Sequence, residues 1–360
     1  MNILFFSRLF YPHIGGVEKH VERISLELIK KNHEVTVLTE KFDNKLSSSE
    51  VINKISITRI NPGGNDWFKK FRIWKNVWKN RKLIADADVI HVHDVFFWYL
   101  PFRFLFWKKK VYVTFHGYEG DSIPGLKAKL MHKIAEKLSR GNICVGDFLE
   151  KWYGTKPDYV TYGAVEVSSI KYPSFVKASA GRQVLSKNKN KLKFLFIGRL
   201  EEETGVMEYL KTLVLLKKDR YKFKLTVLGD GSLRKKAEDF SKVNKINAKF
   251  KGFVENVENY LPKADFIFTS RYLGILEALS YKKFIFTHYN NSIKKDYLEI
   301  VPFAEFISVS ADCEQLSLSI EYFLKNDKKR NKMIDEGFNW VKNQTWENLT
   351  NLYIHLWKKE

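Results

Sequence analysis

The chain has 360 residues, 44% of them hydrophobic, and 62 lysines and arginines against 41 aspartates and glutamates give it a net charge of +21 at pH 7. That length suits two domains and that apolar content excludes global disorder. The charge favours an anionic partner without ranking nucleic acid, an acidic membrane face and a phosphorylated small molecule. Two cysteines, Cys144 and Cys313, lie far apart, with no CxxC and no histidine cluster of metal-binding spacing; they imply a reducing, cytosolic setting without structural zinc. The first residues enter a strand-like run directly and lack the marks of a signal peptide. The longest aromatic-apolar stretch, Val95 to Trp107, contains Pro101 and Arg103 and is too short to span a bilayer.

In chain order, Asn2–Ser7 reads as a buried strand. A helix follows over Val17–Lys31, with Val17, Val21, Ile24, Leu28 and Ile29 on one face. Strands are predicted over Glu34–Leu38, Ile55–Ile60, Asp88–Val92 and Lys110–Phe115, then a helix over Gly125–Arg140 and a strand over Asn142–Val145. Strict alternation of strand and helix implies a parallel sheet covered on both faces. Ser168 to Lys191 breaks the rhythm with serines, lysines, Pro173 and Gly181, and reads as a connection between domains. The alternation then restarts: strand Lys193–Ile197, helix Val206–Lys217, strand Lys222–Leu228, helix Ser232–Val243, strands Lys249–Phe253 and Asp265–Thr269, helix Gly274–Ser280 and strand Phe284–Thr287. The segment Lys328–Lys359 is helical and aromatic. No internal repeat is visible.

Two Rossmann-like halves bind ligands beyond the carboxyl ends of their strands. The loop after the first strand, Tyr11-Pro12-His13-Ile14-Gly15-Gly16-Val17-Glu18, joins two glycines to a helix start. That combination lets backbone amides approach a phosphate; an ordinary strand-to-helix turn has the same form. Further along, Asp66 to Lys82 carries seven basic residues and no acidic one after Asp66. Trp67, Phe71, Trp74 and Trp78 recur at helical spacing, with Lys69, Lys70, Arg72, Lys75 and Lys79 interleaved. A helix aromatic on one side and basic on the other suits a bilayer interface. Packing of those rings on the first sheet, or binding of a nucleic-acid single strand, are the rival readings.

The chain resembles the family-4 retaining glycosyltransferases in seven segments that occur in the family's order: Gly15-Gly16-Val17-Glu18, His91-Val92-His93-Asp94, Thr114-Phe115-His116-Gly117-Tyr118-Glu119, Tyr162-Gly163-Ala164-Val165-Glu166, Gly198-Arg199-Leu200 through Thr204-Gly205, Val227 to Leu233, and Ile275-Leu276-Glu277-Ala278. The resemblance implies an α/β, GT-B architecture of two facing Rossmann-like domains with parallel sheets and a cleft between them. It implies a nucleotide-sugar-binding domain at 192–340, joined through a linker at 171–191 to an acceptor- and membrane-facing domain at 1–170. The last residues, 341–360, are expected as a helix returning to the first domain.

The resemblance also implies residue roles. Gly15 and Gly16 would present amides to a donor phosphate, with Gly198, Arg199, Thr204, Gly205 and Gly229 forming the rest of the diphosphate cradle. Glu277 would accept hydrogen bonds from the ribose hydroxyls, and His116 would meet the transferring sugar or a phosphate. His116, Arg199 and Glu277 are the catalytic candidates; His91 and His93 are given no role. Two departures stand out: Thr204 occupies the place of the family's lysine, and Thr269 that of the first glutamate of its Glu-x7-Glu motif. Arg271 or a lysine is the candidate substitute for the missing positive charge. The expected activity is metal-independent, retaining transfer of a hexose-type sugar from a UDP- or GDP-linked donor. The acceptor would be lipid-linked or a glycolipid on the inner face of the cell membrane. A nucleic-acid binder, a silent partner subunit and a sugar-nucleotide epimerase are the alternatives.

Overall fold

The computed structural model describes residues 1–117, 123–166 and 191–359. The expected linker up to residue 190, together with Tyr118 and Glu119, lies outside the described residues. Two compact units result. One takes the chain up to Gly163 and the terminal segment from Trp346; the other runs from Ala164 to Thr345.

In the first unit β1 (Asn2–Ser7), β2 (Glu34–Glu40), β3 (Ser49–Ile52), β4 (Ile55–Ile60), β5 (Val89–His93), β6 (Lys110–Phe115), β7 (Gly141–Val145) and β8 (Tyr159–Thr161) form one sheet. Its order is β3-β4-β2-β1-β5-β6-β7-β8. Every neighbour pair is parallel except β3 with β4. Ile3, Leu4, Phe5 and Phe6 are all buried, as a strand covered on both faces requires. From β1 the chain steps outward to β2 and β4, then returns to β5 on the other side of β1. The order therefore reverses between β1 and β5, where an open α/β sheet parts into a crevice.

The second unit holds β9 (Leu192–Ile197), β10 (Phe223–Leu228), β11 (Ala248–Phe250), β12 (Phe266–Phe268), β13 (Phe284–His288) and β14 (Ser308–Ser310), in the order β11-β10-β9-β12-β13-β14. All are parallel, and the reversal falls between β9 and β12. Phenylalanines at alternate positions form the core on one face: Phe194, Phe196, Phe266, Phe268, Phe284 and Phe286. Leu210, Leu213 and Leu216 of helix Val206–Lys218, and Leu316 and Ile320 of helix Cys313–Lys325, cover them. Rings Phe194 and Phe268 stack with centroids 4.8 Å apart.

Several expected bounds shift. The helix expected from Gly274 starts at Tyr272, and the strand expected over Lys249–Phe253 is confined to Ala248–Phe250. The basic aromatic segment divides into helices Lys69–Lys79 and Arg81–Asp86, and Phe96–Leu105 forms a helix with Pro101 inside it. The helical tail is two helices, Asp327–Val341 in the second unit and Trp346–Lys358 in the first. The terminal helix is built into the first unit: Tyr112 donates its hydroxyl hydrogen to the carbonyl of Trp357 at 3.1 Å. Its Leu356 also fills the space where a side chain on Gly141 would stand. Among the described residues no helix is long and apolar enough to cross a membrane.

Candidate active site

The crevice of the second sheet is bordered by the loops leaving β9 and β12. The first carries Gly198 and Arg199, the second Thr269 to Arg271, and Glu277 follows on the helix Tyr272–Ser280. Arg199 Nη2 and Arg271 Nη2 both reach Glu203 Oε1, at 2.5 and 3.1 Å. One carboxylate oxygen thus orients two guanidiniums from the two sides of the reversal, and the Arg199 side chain is 66% exposed. Forked, permanently charged donors in that position suit a phosphate. Glu277 is half-buried.

Thr204, expected among the donor contacts, is buried, and its hydroxyl lies 2.7 Å from the carbonyls of both Arg199 and Glu201. It braces the Arg199 loop instead of reaching outward, because the short turn Glu202–Thr204 folds it back. The backbone carbonyl of Thr204 in turn accepts from Ser270 Oγ at 3.1 Å, and Ser270's carbonyl accepts from the buried Lys294 ammonium, which lies over the Tyr297 ring. Thr269, in place of a glutamate, is buried, and its hydroxyl has no hydrogen-bond partner among the described residues. That hydroxyl lies 2.5 Å from where a side chain on Gly274 would begin. Beside this threonine, position 274 therefore has room only for a glycine, as helix Tyr272–Ser280 turns close over the strand end.

Gly229 has φ +139°, and a Cβ there would lie 1.8 Å from the carbonyl oxygen of Gly198. The two loops cross backbone to backbone, so both glycines serve packing as well as any ligand. Glu201 ties the same loops together by accepting the Ser232 amide at 2.9 Å and its hydroxyl. Those bonds hold the Glu201 carboxyl below its usual range. Gly205 is left-handed at φ +75° and abuts His288. A cavity of about 310 Å³ opens beside it, but Glu202, Glu208 and Asp312 line it, which disfavours a diphosphate there.

In the first unit the crevice between β1 and β5 gathers the glycine loop and four histidines. Gly15 is the N-cap of helix Gly16–Lys30, and none of the described residues lies within 4 Å of where a Cβ of Gly16 would stand. His116, just past β6, is half-buried, and its amide donates to Asp94 Oδ1 at 2.8 Å. Its Nε2 lies 2.8 Å from His93 Nδ1. Burial holds both imidazoles well below their usual pKa, so both are neutral at pH 7. His20 of the first helix stands edge-on to His116 with centroids 4.6 Å apart, and burial lowers its pKa to about 3.

A chain of donors backs this cluster. Trp357 Nε1 lies 3.0 Å from His91 Nδ1, His91 Nε2 is 2.7 Å from Thr114 Oγ1, Thr114 is 2.7 Å from the Tyr353 hydroxyl, and Tyr353 is 2.8 Å from His20 Nε2. An indole has no lone pair on that nitrogen, so His91 Nδ1 must accept and His91 Nε2 must carry the hydrogen that Thr114 receives. The two hydroxyls beyond can run in either direction. His20, Tyr353 and Trp357 escape sequence reasoning because the terminal helix meets the first helix across 333 positions.

The basic aromatic segment has its buried face at Ile73 and Val77, not at the rings. Trp67 (ahead of the helix), Phe71 and Trp78 are exposed, while Trp74 is half-buried and donates its indole hydrogen to the Phe97 carbonyl at 2.9 Å. Lys69 pairs with Glu40 at 2.9 Å and Arg72 with Asp66 at 3.0 Å. Lys70 lies over Trp67, 4.3 Å from the ring centroid, and Lys75 and Lys79 are exposed. Phe104, Leu105 and Trp107 at the end of the helix Phe96–Leu105 are exposed as well.

Residues 14–157 match the family described as Glycosyltransferase Family 4, and residues 179–340 match Glycosyl transferases group 1. An uncharacterised glycosyltransferase of Methanocaldococcus jannaschii is 24% identical over 297 residues, which are 74% of this chain and 70% of that protein. Sucrose-phosphate synthase from Thermosynechococcus elongatus has a similar fold: TM-score 0.78, 13% identity, 99% of this chain and 98% of the other. Anabaena HepE in complex with UDP gives a TM-score of 0.71 at 13% identity, covering 99% and 98% of the two chains. With two parallel α/β units and matches to both halves of the fold, the chain belongs to the family 4, group 1 glycosyltransferases and has their GT-B architecture.

Proposed function

We propose that this glycosyltransferase is a retaining, metal-independent hexosyltransferase that uses a UDP- or GDP-linked sugar. Its acceptor is a lipid-linked saccharide or glycolipid at an anionic membrane surface on the cytoplasmic side. The observation that carries the donor half is the pair Arg199 and Arg271, converging on Glu203 at the reversal of the second sheet. Arg271 takes the role left open by Thr204 and Thr269. The UDP bound by Anabaena HepE supports a nucleotide diphosphate donor.

Glu277, in the second turn of its helix, takes the ribose hydroxyls. On the first unit the amides that open the helix Gly16–Lys30 hold a phosphate oxygen, and His116, neutral, takes a hydroxyl of the transferring sugar. The departing diphosphate accepts the proton of the incoming hydroxyl on the same face of the sugar, so the protein's contribution is fixed positive charge on the leaving group. The acceptor half rests on the exposed Trp67, Phe71, Trp78, Phe104 and Trp107 beside Lys70, Lys75 and Lys79.

A thermal-shift screen of nucleotide-sugars, followed by turnover, tests this reading. A donor at a hundred times its Kd should stabilise by about 2.7 kcal/mol. Arg199→Ala and Arg271→Ala should each lose turnover by at least ten-fold, and turnover untouched by both would end the assignment. The anomeric proton of the product, read by NMR, decides retention.

A further inference from the structure

His20 on the first helix, His93 at the end of β5 and His116 beyond β6 place one ring nitrogen each within 4.8 Å of one another. We propose that these three imidazoles bind one divalent transition-metal ion of the zinc, cobalt and nickel class, and that the ion silences the enzyme by occupying His116. The site itself stands on the geometry of the first unit; its inhibitory effect rests on the role given to His116 above.

The donor set selects the class of ion. Three imidazoles and no carboxylate suit zinc, cobalt, nickel or copper, and do not suit magnesium or calcium, which take oxygen ligands. Burial keeps all three rings in the neutral form that ligates. His93 Nδ1 and His116 Nε2 already face one another at 2.8 Å, so the two nitrogens that an ion would bridge converge on one point.

Zinc–nitrogen bonds of about 2.0–2.1 Å put tetrahedral ligands roughly 3.4 Å apart. The His93–His116 pair therefore opens by about half an ångström while the widest separation closes. His20 already has the outer support that ligating histidines take. Its Nε2 meets the Tyr353 hydroxyl at 2.8 Å, which leaves Nδ1 for the ion. Tyr353 adapts by accepting from His20 Nε2–H and donating to Thr114 Oγ1, whose second lone pair is available beside the His91 bond. Three protein ligands leave a fourth position open, and half-buried His116 forms the side from which the ion enters. The ligands come from positions so far apart in the chain that their spacing carries no metal signature.

The test uses the full-length, untagged chain, stripped with a chelator and titrated with cobalt(II) while calorimetry and visible absorption are followed. One cobalt per chain, with the ligand-field bands of nitrogen coordination and no uptake of magnesium, is the expected result. His20→Ala should weaken binding at least a hundred-fold. Should that variant fold poorly by circular dichroism, Tyr353→Phe, which leaves every ligand in place, should weaken it about ten-fold. No cobalt uptake by the parent chain, or uptake unchanged in a folded variant, overturns the site. Donor turnover should fall in proportion to cobalt occupancy and return with chelator; occupancy without loss of turnover overturns the inhibitory role. A chain that binds cobalt but turns over no nucleotide-sugar at any metal level supports the ion site and counts against the transferase reading alone.

Discussion

The indole hydrogen of Trp357 is donated to Nδ1 of His91 across 3.0 Å, between two buried side chains whose positions differ by 266. Because the indole only donates, this bond fixes the tautomer of His91 and makes Thr114 Oγ1 the acceptor of its Nε2 hydrogen. In native protein, long-range ¹⁵N–¹H spectra should show His91 protonated at Nε2 alone; protonation at Nδ1 would contradict the chain of donors. Trp357→Phe leaves a buried acceptor unsatisfied and should cost about 1–3 kcal/mol in chemical denaturation.

Two glycines are predicted to behave oppositely. A methyl at Gly16 meets nothing among the described residues, so Gly16→Ala should leave stability unchanged or raised by up to about 1 kcal/mol. The same methyl stands where a phosphate oxygen is proposed, so donor binding should weaken about ten-fold or more. At Gly205 the backbone is left-handed at φ +75°, and a Cβ would lie 2.5 Å from His288 Cδ2. Gly205→Ala should therefore destabilise by about 2 kcal/mol or more. Equal effects of the two substitutions on the melting temperature would refute the argument.

Stability should fall with acidity. Burial lowers His132 to about 4 and His20 to about 3, against 6.5 in the unfolded chain. Below pH 6.5 the unfolded chain therefore binds protons that the folded chain refuses. Stability present above pH 6.5 is lost as pH falls toward 4, at about 1.4 kcal/mol per pH unit for each such histidine. His132, stacked between Phe115 and Tyr153 with centroids at 4.4 and 4.2 Å, is the cleanest probe. His132→Leu should flatten the dependence by about 2 kcal/mol between pH 6.5 and 5; an unchanged slope would show that His132 titrates normally in the fold.

Docking on anionic vesicles should depend on the lysines that no carboxylate among the described residues engages. Each basic residue near such a surface contributes about 1 kcal/mol. Lys75→Gln with Lys79→Gln should thus lower partitioning onto phosphatidylglycerol vesicles by roughly thirty-fold. Lys69→Gln should have less effect, since Glu40 holds that ammonium. Sedimentation with vesicles at two salt concentrations measures both, and equal losses would place Lys69 on the docking face.

Buried parallel strands were the most legible elements. Asn2–Ser7 and Lys110–Phe115 fall where near-continuous apolar runs put them, because both faces of such strands are covered, and Ile55–Ile60 falls where its alternating isoleucines put it. The edge strand Ser49–Ile52 alternates exposed and half-buried residues and gave no such run. Phe96–Leu105, apolar on nearly every side, has no 3.6-residue stripe to reveal a helix. At the candidate site, motif position located Arg199, Glu277 and His116. Glu203, Lys294 and His20 were not visible, because their importance comes from contacts across loops: Glu203 joins Arg199 to Arg271, 68 positions away. Aromatic spacing along Trp67–Trp78 was legible, but which face the helix buries depended on Ile73 and Val77 meeting the sheet, a tertiary fact.

The terminal helix completes the first unit although the whole second unit precedes it in the chain. On a ribosome adding about 5–20 residues per second, the β1–β5 crevice waits on the order of ten seconds or more after its own strands have emerged before Tyr353 and Trp357 arrive. Until then His20, His91 and Thr114 lack the partners that dry and orient them. A nascent or prematurely stopped chain therefore presents a wet histidine pocket to solvent, and only the arrival of Tyr353 and Trp357 seals it.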